Sequence, residues 1–110
     1  IAFPAVKKEG GDVVLIANAP EGQATHYLMG PFGNGIAGKL PLQMKVPDNV
    51  NRLIIYNEYP EIASARYLAS TEKVLMTDNW AEVMALLEKS HGPGTKVAVY
   101  PNADIQYCHA

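Results

Sequence analysis

Four side chains that could bind a ligand or move a proton follow the first long apolar run of the sequence. They lie within the nine residues 18–26, shortly after Val13–Ile16, at Asn18, Glu21, Gln23 and His26. A carboxylate and an imidazole can act as acid and base, and amides bind the polar groups of a ligand. The alternative is that the histidine is a helix-surface residue without a chemical role. We interpret the four residues as substrate-cleft candidates and assign no catalytic residue to this segment.

A glycine-rich stretch at 33–38 matches the G-x-G-x-x-G pattern, with its glycines at Gly33, Gly35 and Gly38. In dinucleotide-binding proteins this pattern follows a strand directly and opens a helix whose N-terminus meets the pyrophosphate. Here it follows a helix-competent segment, and Pro41 comes soon after it, so a dinucleotide site is disfavoured. We interpret the glycines as a mobile flap, because hinges need residues that absorb large backbone changes. A plain glycine-rich connection is the alternative.

The other reactive side chains form no motif for a metal or a nucleophile. The three histidines lack a spacing such as H-x₃-H, so no metal site is predicted for this segment alone. His91 is explained by a predicted position at the C-terminus of a helix. The single cysteine, Cys108, rules out an internal disulfide framework and suits a reducing compartment. We therefore predict a cytoplasmic protein.

The bulk composition is that of a folded domain with a weak net charge. The 110 residues are 48% hydrophobic and 18% charged, with a formal net charge of −2. Without a Lys/Arg cluster, neither nucleic acid nor an anionic membrane surface is an expected partner. No apolar run approaches the roughly 20 residues of a membrane span. Because the sequence begins with Ile rather than Met and leads almost directly into a strand, we expect a fragment of a longer polypeptide.

Four apolar runs that end in polar residues predict strands, and the segments between them predict helices. The runs are Val13–Ile16, Arg52–Asn57, Lys73–Thr77 and Lys96–Tyr100. Strands that alternate with helices indicate a mostly parallel sheet with helical crossovers. We predict a single α/β domain over residues 1–110, a small three-layer, Rossmann-like fold with about four strands. The residues expected to line one edge of its sheet are Asn18, Asn57, Thr77 and Asn102.

The clearest helix is predicted directly after Asn79. Its apolar residues follow the i, i+3, i+4, i+7 spacing of a core-facing stripe, at Trp80, Val83, Met84 and Leu87. Glu82 lies three residues after Asn79, the spacing of a capping box, and Gly92 is expected to stop the helix.

Several segments together resemble a known family. The stretch GGDVVLIANAPEGQATHY begins with a Gly-Gly turn at Gly10–Gly11, which leads into an apolar strand, and it contains an acidic-Gly loop at Glu21–Gly22. NRLIIYNEYPE follows, and the sequence His-Gly-x-x-x-Lys-Val at 91–97 lies within LLEKSHGPGTKVAVYPNADIQY. This combination resembles the C-terminal part of the nickel-dependent lactate racemase family over nearly the whole chain.

The resemblance implies an isomerase, a racemase or epimerase of 2-hydroxy acids that passes a hydride to and from a nickel-pincer nucleotide. In that family the cofactor-bearing lysine, the nickel histidine and the catalytic histidines belong to the N-terminal domain. The segment is therefore expected to bind no cofactor by itself and to be inactive alone. Its expected partners are that N-terminal domain of the same chain and a small-molecule substrate. The loop at 20–26 is bulkier than the family's Asp-Gly loop and adds a histidine. This departure favours a substrate other than lactate, such as a larger hydroxy acid.

Two other functions remain open from the residues alone. One is a stand-alone module that holds a small anion or a nucleotide at the strand ends. The other is an interaction domain, because aromatic side chains are enriched at the centres of protein contacts. The candidate anchors are Tyr56, Tyr59, Tyr67 and Phe32.

Overall fold

A computed structural model describes the protein at residues 2–18, 45–59 and 72–102. Within these ranges lie a short 3₁₀ helix at Phe3–Ala5, three strands and one α-helix. The strands are β1 (Gly11–Ala17), β2 (Val50–Asn57) and β3 (Val74–Thr77), and the helix is α1 (Trp80–Ser90). Three of the four predicted strands and the clearest predicted helix are thus confirmed.

The three strands form one parallel sheet in the order β1-β2-β3. In its register, Val14 of β1 opposes Ile54 of β2, and Ile54 opposes Leu75 of β3. β2 is the central strand, and its Leu53, Ile54 and Ile55 are all buried. Burial on both faces explains why its apolar run is continuous rather than alternating. A small α/β fold with a parallel sheet is therefore confirmed.

The two faces of this sheet pack against different parts of the chain, because successive side chains of a strand point to opposite sides. Arg52 and Tyr56 of β2 contact α1, through the carbonyl oxygen of Leu86 and the ring of Trp80. The other face holds a hydrophobic cluster against which the N-terminal segment packs through Ala2, Phe3 and Val6. The buried members of that cluster are Val13, Val46, Val50, Leu53 and Ile55.

The predicted Gly-Gly turn leads into β1 beside an irregularity in the pairing of β1 with β2. Gly11 opposes Val50, whereas Asp12 opposes Arg52, so Asn51 is an extra residue on β2. Gly10 has a φ of 120°, and a Cβ atom at Gly10 would lie 3.1 Å from the side chain of Asn51. Glycine is required here by both the backbone conformation and the space.

α1 begins with the predicted cap at Asn79. The Asn79 side chain accepts hydrogen bonds from the backbone N–H groups of Ala81 and Glu82, at 3.0 and 3.4 Å. The Thr77 hydroxyl accepts from the Asn79 N–H at 3.1 Å and donates to the Glu82 carboxylate at 2.5 Å. Glu82 therefore completes the cap through Thr77, not by the direct contact of a capping box. No helix within the described residues has the length and apolar character needed to cross a membrane.

The structure corrects the predicted core face of α1. Val83 is fully buried, but Trp80 and Met84 are 42% and 39% exposed, and Leu87 is only partly buried. Among the described elements α1 packs on β2 and β3, so the sheet covers a narrow stripe of the helix. Helical spacing identified the correct side of α1 but overestimated the width of its buried surface.

The predicted fourth strand at Lys96–Tyr100 is not confirmed. The segment is irregular and does not pair with the described sheet, and Val97 and Val99 are 77% and 75% exposed. A β-branched pattern favours a strand only where backbone partners and neighbouring side chains support it. The Rossmann-like order and the helical crossovers stay predictions, because the helices expected at Gln23–Leu28 and Glu61–Ala69 lie outside the described residues.

Lys73 ties the loop before β2 to the start of β3. Its Nζ donates to three backbone carbonyl oxygens, those of Pro47 at 3.3 Å, Asp48 at 3.2 Å and Val50 at 2.9 Å. Its own carbonyl oxygen accepts from the Leu53 N–H at 2.7 Å. The three donors of one ammonium group thus hold three carbonyl oxygens of the turn before β2 in place.

Replacing Lys73 with methionine is expected to lower the free energy of unfolding by about 2 kcal/mol, because three carbonyl oxygens lose a charged donor, two of them in partly buried hydrogen bonds. Lys45→Met is the matched control: Lys45 lies in the same loop, but its ion pair with Asp48 is exposed. Urea unfolding followed by circular dichroism measures both variants. Equal stability of the two would show that the Lys73 contacts contribute nothing.

Candidate functional site

Three polar residues end the parallel strands at one edge of the sheet, here called the carboxyl edge (Asn18, Asn57 and Thr77). Ala17 opposes Asn57, and Tyr56 opposes Thr77, so the three strand ends lie side by side. Ligands of open α/β sheets bind in the crevice outside such ends. Asn102, expected at the same edge, follows a segment that is not part of the described sheet.

Two of the three side chains at the carboxyl edge are buried and form hydrogen bonds to nearby backbone N–H groups. Asn57 is 2% exposed, and its Oδ1 accepts from the Tyr59 N–H at 3.0 Å. Thr77 is 7% exposed and holds the start of α1 as described above. Asn18 is the exposed member of the set. Asn57 and Thr77 therefore fix the shape of the edge, and Asn18 is the member of the set that is open to solvent.

The charged groups described at this edge are acidic. Glu58 and Asp78 are exposed directly after β2 and β3, and Glu82 lies in the first turn of α1. The described residues that follow the strand ends, 18, 58–59 and 78–82, contain no Lys or Arg. The positive end of α1 is already satisfied by Asn79 and Glu82. This part of the edge therefore offers no cation to an anionic ligand.

Aromatic rings border the same edge. The Trp80 ring meets the Tyr56 ring edge-on, with 5.3 Å between the ring centroids and 78° between the planes. Trp80 remains 42% exposed, and Tyr59 is 49% exposed. These rings offer apolar contact area next to the polar strand ends. The other two proposed aromatic anchors, Tyr67 and Phe32, lie outside the described residues.

The remaining cleft and flap candidates cannot be placed by the structure. They stay predictions from the sequence, because all of them lie outside the described residues: Glu21, Gln23, His26, Gly33, Gly35 and Gly38.

A second polar cluster lies at the opposite edge of the sheet and is here called the amino-edge cluster (Asp12, Arg52 and His91). The Asp12 carboxylate accepts hydrogen bonds from two guanidinium nitrogens of Arg52, Nε at 3.2 Å and Nη2 at 2.5 Å. His91 Nε2 donates to the same carboxylate at 2.9 Å. Arg52 also donates to the Leu86 carbonyl oxygen at 3.1 Å and to the Ser90 hydroxyl at 2.6 Å. The cluster therefore joins β1, β2 and the C-terminus of α1.

The electrostatics of this cluster keep the carboxylate ionised. The Asp12 side chain is 2% exposed, and burial alone raises the pKa of a carboxyl group. Hydrogen bonds from Arg52 and His91, together with their charge, outweigh burial and lower the pKa of Asp12. The hydrogen bond to Asp12 in turn raises the pKa of Arg52, despite some desolvation. The pair is mutually stabilised in its charged form.

An Asp–His contact can orient an imidazole for acid–base chemistry, but the arrangement here is that of a structural anchor. Arg52 shares the carboxylate with His91, and the nearby Ser90 hydroxyl bonds to Arg52. Sequence reasoning placed His91 correctly at the helix end and missed its Asp12 partner. A signal was present: Asp12 and Arg52 each stand directly before an apolar run, and in-register parallel pairing makes such residues neighbours.

Among the described residues, no group of three or more His, Cys, Asp or Glu side chains is arranged to hold a metal ion. The expectation that a nickel-pincer nucleotide would be held by another domain stays a prediction. Comparison of the chain with protein-family models, with curated proteins and with solved structures finds no match. The likeness to nickel-dependent lactate racemases therefore rests on the sequence segments that carry it.

Proposed function

We propose that this chain is the cleft-closing domain of a racemase or epimerase that acts on a 2-hydroxy acid and resembles the nickel-dependent lactate racemases. The observation that carries the proposal is the carboxyl edge, where three parallel strands end side by side and the exposed Asn18 follows β1. The partner is an N-terminal domain of the same polypeptide, which holds the nickel-pincer nucleotide. The proposed compartment is the cytoplasm, and the proposed complete sheet has four strands in a Rossmann-like order.

The charges at the carboxyl edge support a closing role and disfavour a stand-alone anion-binding module. A 2-hydroxy acid is an anion at neutral pH, and the described residues of this edge carry carboxylates but no cation. Under this proposal, the positive charge that binds such a substrate comes from the partner domain. The exposed rings of Trp80 and Tyr59 suit the complementary task of covering the substrate and excluding water.

The first experiment compares the chain alone with the polypeptide that joins it to the N-terminal domain. Chiral chromatography follows the racemisation of lactate and of larger 2-hydroxy acids after loading with nickel and cofactor. We expect turnover by the joined protein and none by the 110-residue chain. Racemisation by the chain alone would overturn the proposal, as would saturable binding of a nucleotide by the chain in calorimetry.

Asn18→Ala in the joined protein is expected to raise KM by roughly fivefold to tenfold, the loss of one hydrogen bond to the substrate. Asn51→Ala is the matched control, because Asn51 is also an exposed asparagine next to a strand end but lies at the amino edge. Its KM is expected to stay unchanged. An equal effect of the two substitutions would show that the carboxyl edge does not face the substrate.

A further inference from the structure

Along one of its two lateral sides, β1 has no neighbouring strand among the described residues; this side is the lateral edge of the sheet, not its carboxyl edge. β1 pairs with β2 on one side and is the terminal strand in the order β1-β2-β3. Leu15 and Ile16 are 37% and 65% exposed, although they point to opposite faces of the sheet. Exposure on both faces is expected where the next strand of a sheet is missing. Such an edge presents a row of N–H and C=O groups that can pair with another strand.

The segment Lys96–Tyr100 has the properties of the strand that would fill this edge. It alternates β-branched residues with others, and its Val97 and Val99 are more than 70% exposed. Five extended residues span about 16 Å, which fits within the length of the seven-residue β1. Two exposed apolar surfaces of matching length therefore occur in one chain.

α1 carries the chain from the far side of the sheet to β1. The helix starts beside β3, where Thr77 contacts Glu82, and it ends where His91 meets Asp12 of β1. A turn follows, in which the Thr95 N–H and hydroxyl both bond to the Gly92 carbonyl oxygen and Gly94 has a φ of 86°. Lys96 thus follows a turn anchored near the amino end of β1, and a chain leaving it along β1 would run parallel to that strand.

We infer that Lys96–Tyr100 docks, as a fourth parallel strand, on the side of β1 that the described residues of the same molecule leave unpaired. The resulting strand order is β3-β2-β1 followed by the docked segment. Docking covers Leu15 and Ile16 with Val97, Val99 and their neighbours and satisfies the edge of β1. The anchor between His91 and Asp12 limits the freedom of the segment, so the closure costs little entropy.

The docked strand also locates the ligand crevice, a step that rests on the proposed function. Strand order would reverse between β1 and the docked segment, because β2 follows β1 on one side and the segment lies on the other. Ligands of open α/β sheets bind at such a switch point, outside the carboxyl ends of the strands. The 2-hydroxy acid would then lie beside Asn18, between residues 18 and 101, and not beside Asn57 or Thr77.

Proline substitutions test the docking without any activity assay. Proline cannot donate to a strand ladder, and an edge strand tolerates it only where the N–H points to solvent. Ala98→Pro and Val99→Pro each remove one backbone N–H group, and the N–H groups of these successive residues point to opposite sides of the docked strand. We expect one of them to lower the thermal unfolding midpoint by several degrees and the other to change it little. Two unchanged midpoints would overturn the docking.

Amide hydrogen exchange, followed by NMR on the unmodified chain, provides a second readout that does not depend on folding of a variant. We expect alternate amides of residues 96–100 to exchange roughly 100-fold more slowly than the amide of Gly94 in the preceding turn. Uniformly fast exchange over 96–100 would contradict the docking. Neither readout involves the substrate, so the docking and the proposed function can fail separately. If the segment is docked but Asn18→Ala leaves KM unchanged, only the crevice and the proposed function are rejected.

Cross-linking identifies which molecule supplies the strand. Ile16→Cys and Val99→Cys are introduced together with Cys108→Ser, and a short bismaleimide is added. Cross-linked product at the mass of one chain supports docking within the molecule. Product at the mass of two chains would overturn that assignment and indicate exchange of the segment between copies. Cys108→Ser with either single cysteine is the control for non-specific coupling.

Discussion

Replacing Asp12 with alanine is expected to lower the free energy of unfolding by about 3 kcal/mol, the low end of the cost of breaking a buried ion pair. The side chain of Asp12 is 2% exposed and receives three hydrogen bonds, two from Arg52 and one from His91. Arg52 and His91 are 26% and 28% exposed, so water can partly solvate them after the loss of Asp12. The low end of the range follows from this partial exposure.

Asp48→Ala is the control for the Asp12 variant, because Asp48 also forms an ion pair with a basic residue but is 90% exposed. Exposed ion pairs contribute little, so no measurable loss of stability is expected. Urea unfolding at pH 7 measures both variants. A similarly small change for Asp12→Ala would mean that the amino-edge cluster does not hold α1 to the sheet.

The stability difference between the wild type and Asp12→Ala is expected to shrink in acid. Hydrogen bonds and charge from Arg52 and His91 outweigh burial and place the pKa of Asp12 below its unfolded value. A group with a depressed pKa contributes its full stabilisation above the unfolded pKa, which is about 4 for Asp. That contribution is lost as the pH falls through the lower folded pKa. Urea curves at pH 7, 5 and 3 test the direction, and a difference that grows toward pH 3 would refute it.

Replacing Ile54 with alanine is expected to lower the free energy of unfolding by about 4 kcal/mol. Ile54 is fully buried on the central strand, between Val14 of β1 and Leu75 of β3. Loss of three carbon atoms removes apolar surface burial and leaves a cavity that a sheet paired on both sides cannot collapse to fill. Because the cavity stays open, the expected loss of stability lies in the upper half of the usual range for Ile→Ala substitutions.

A graded series separates the cavity from a general disturbance of the fold at Ile54. Ile54→Val removes one methyl group and is expected to cost about 1 kcal/mol. Met84→Ala is the control outside the core, because Met84 is 39% exposed and alanine favours the helix. Chemical unfolding of all three variants measures the series. A loss for Ile54→Val as large as that for Ile54→Ala would contradict the cavity explanation.

Local signals in the sequence determined the elements of this protein. Apolar runs predicted β1, β2 and β3, because strands of a parallel sheet are commonly covered on both faces, as the central β2 is here. Asn79 predicted the start of α1, since its side chain satisfies N–H groups that a helix leaves unpaired. The polar residue after each run predicted that Asn18 and the ends of β2 and β3 share one edge, which follows once the strands are parallel.

Only the tertiary structure decided which distant residues meet and which predicted surfaces are covered. Asp12 and Arg52 are 40 residues apart, and His91 is 79 residues from Asp12, so their contact depends on strand register and on the path of α1. The exposure of Trp80 likewise depends on how much sheet lies beneath the helix. Lys96–Tyr100 has a strand pattern but is not part of the described sheet β1-β2-β3, because strand pairing is a long-range interaction that propensity does not contain. The sequence by itself determined β1, β2, β3 and α1 and the polar residues at the strand ends, while the packing of those elements decided the contacts between them.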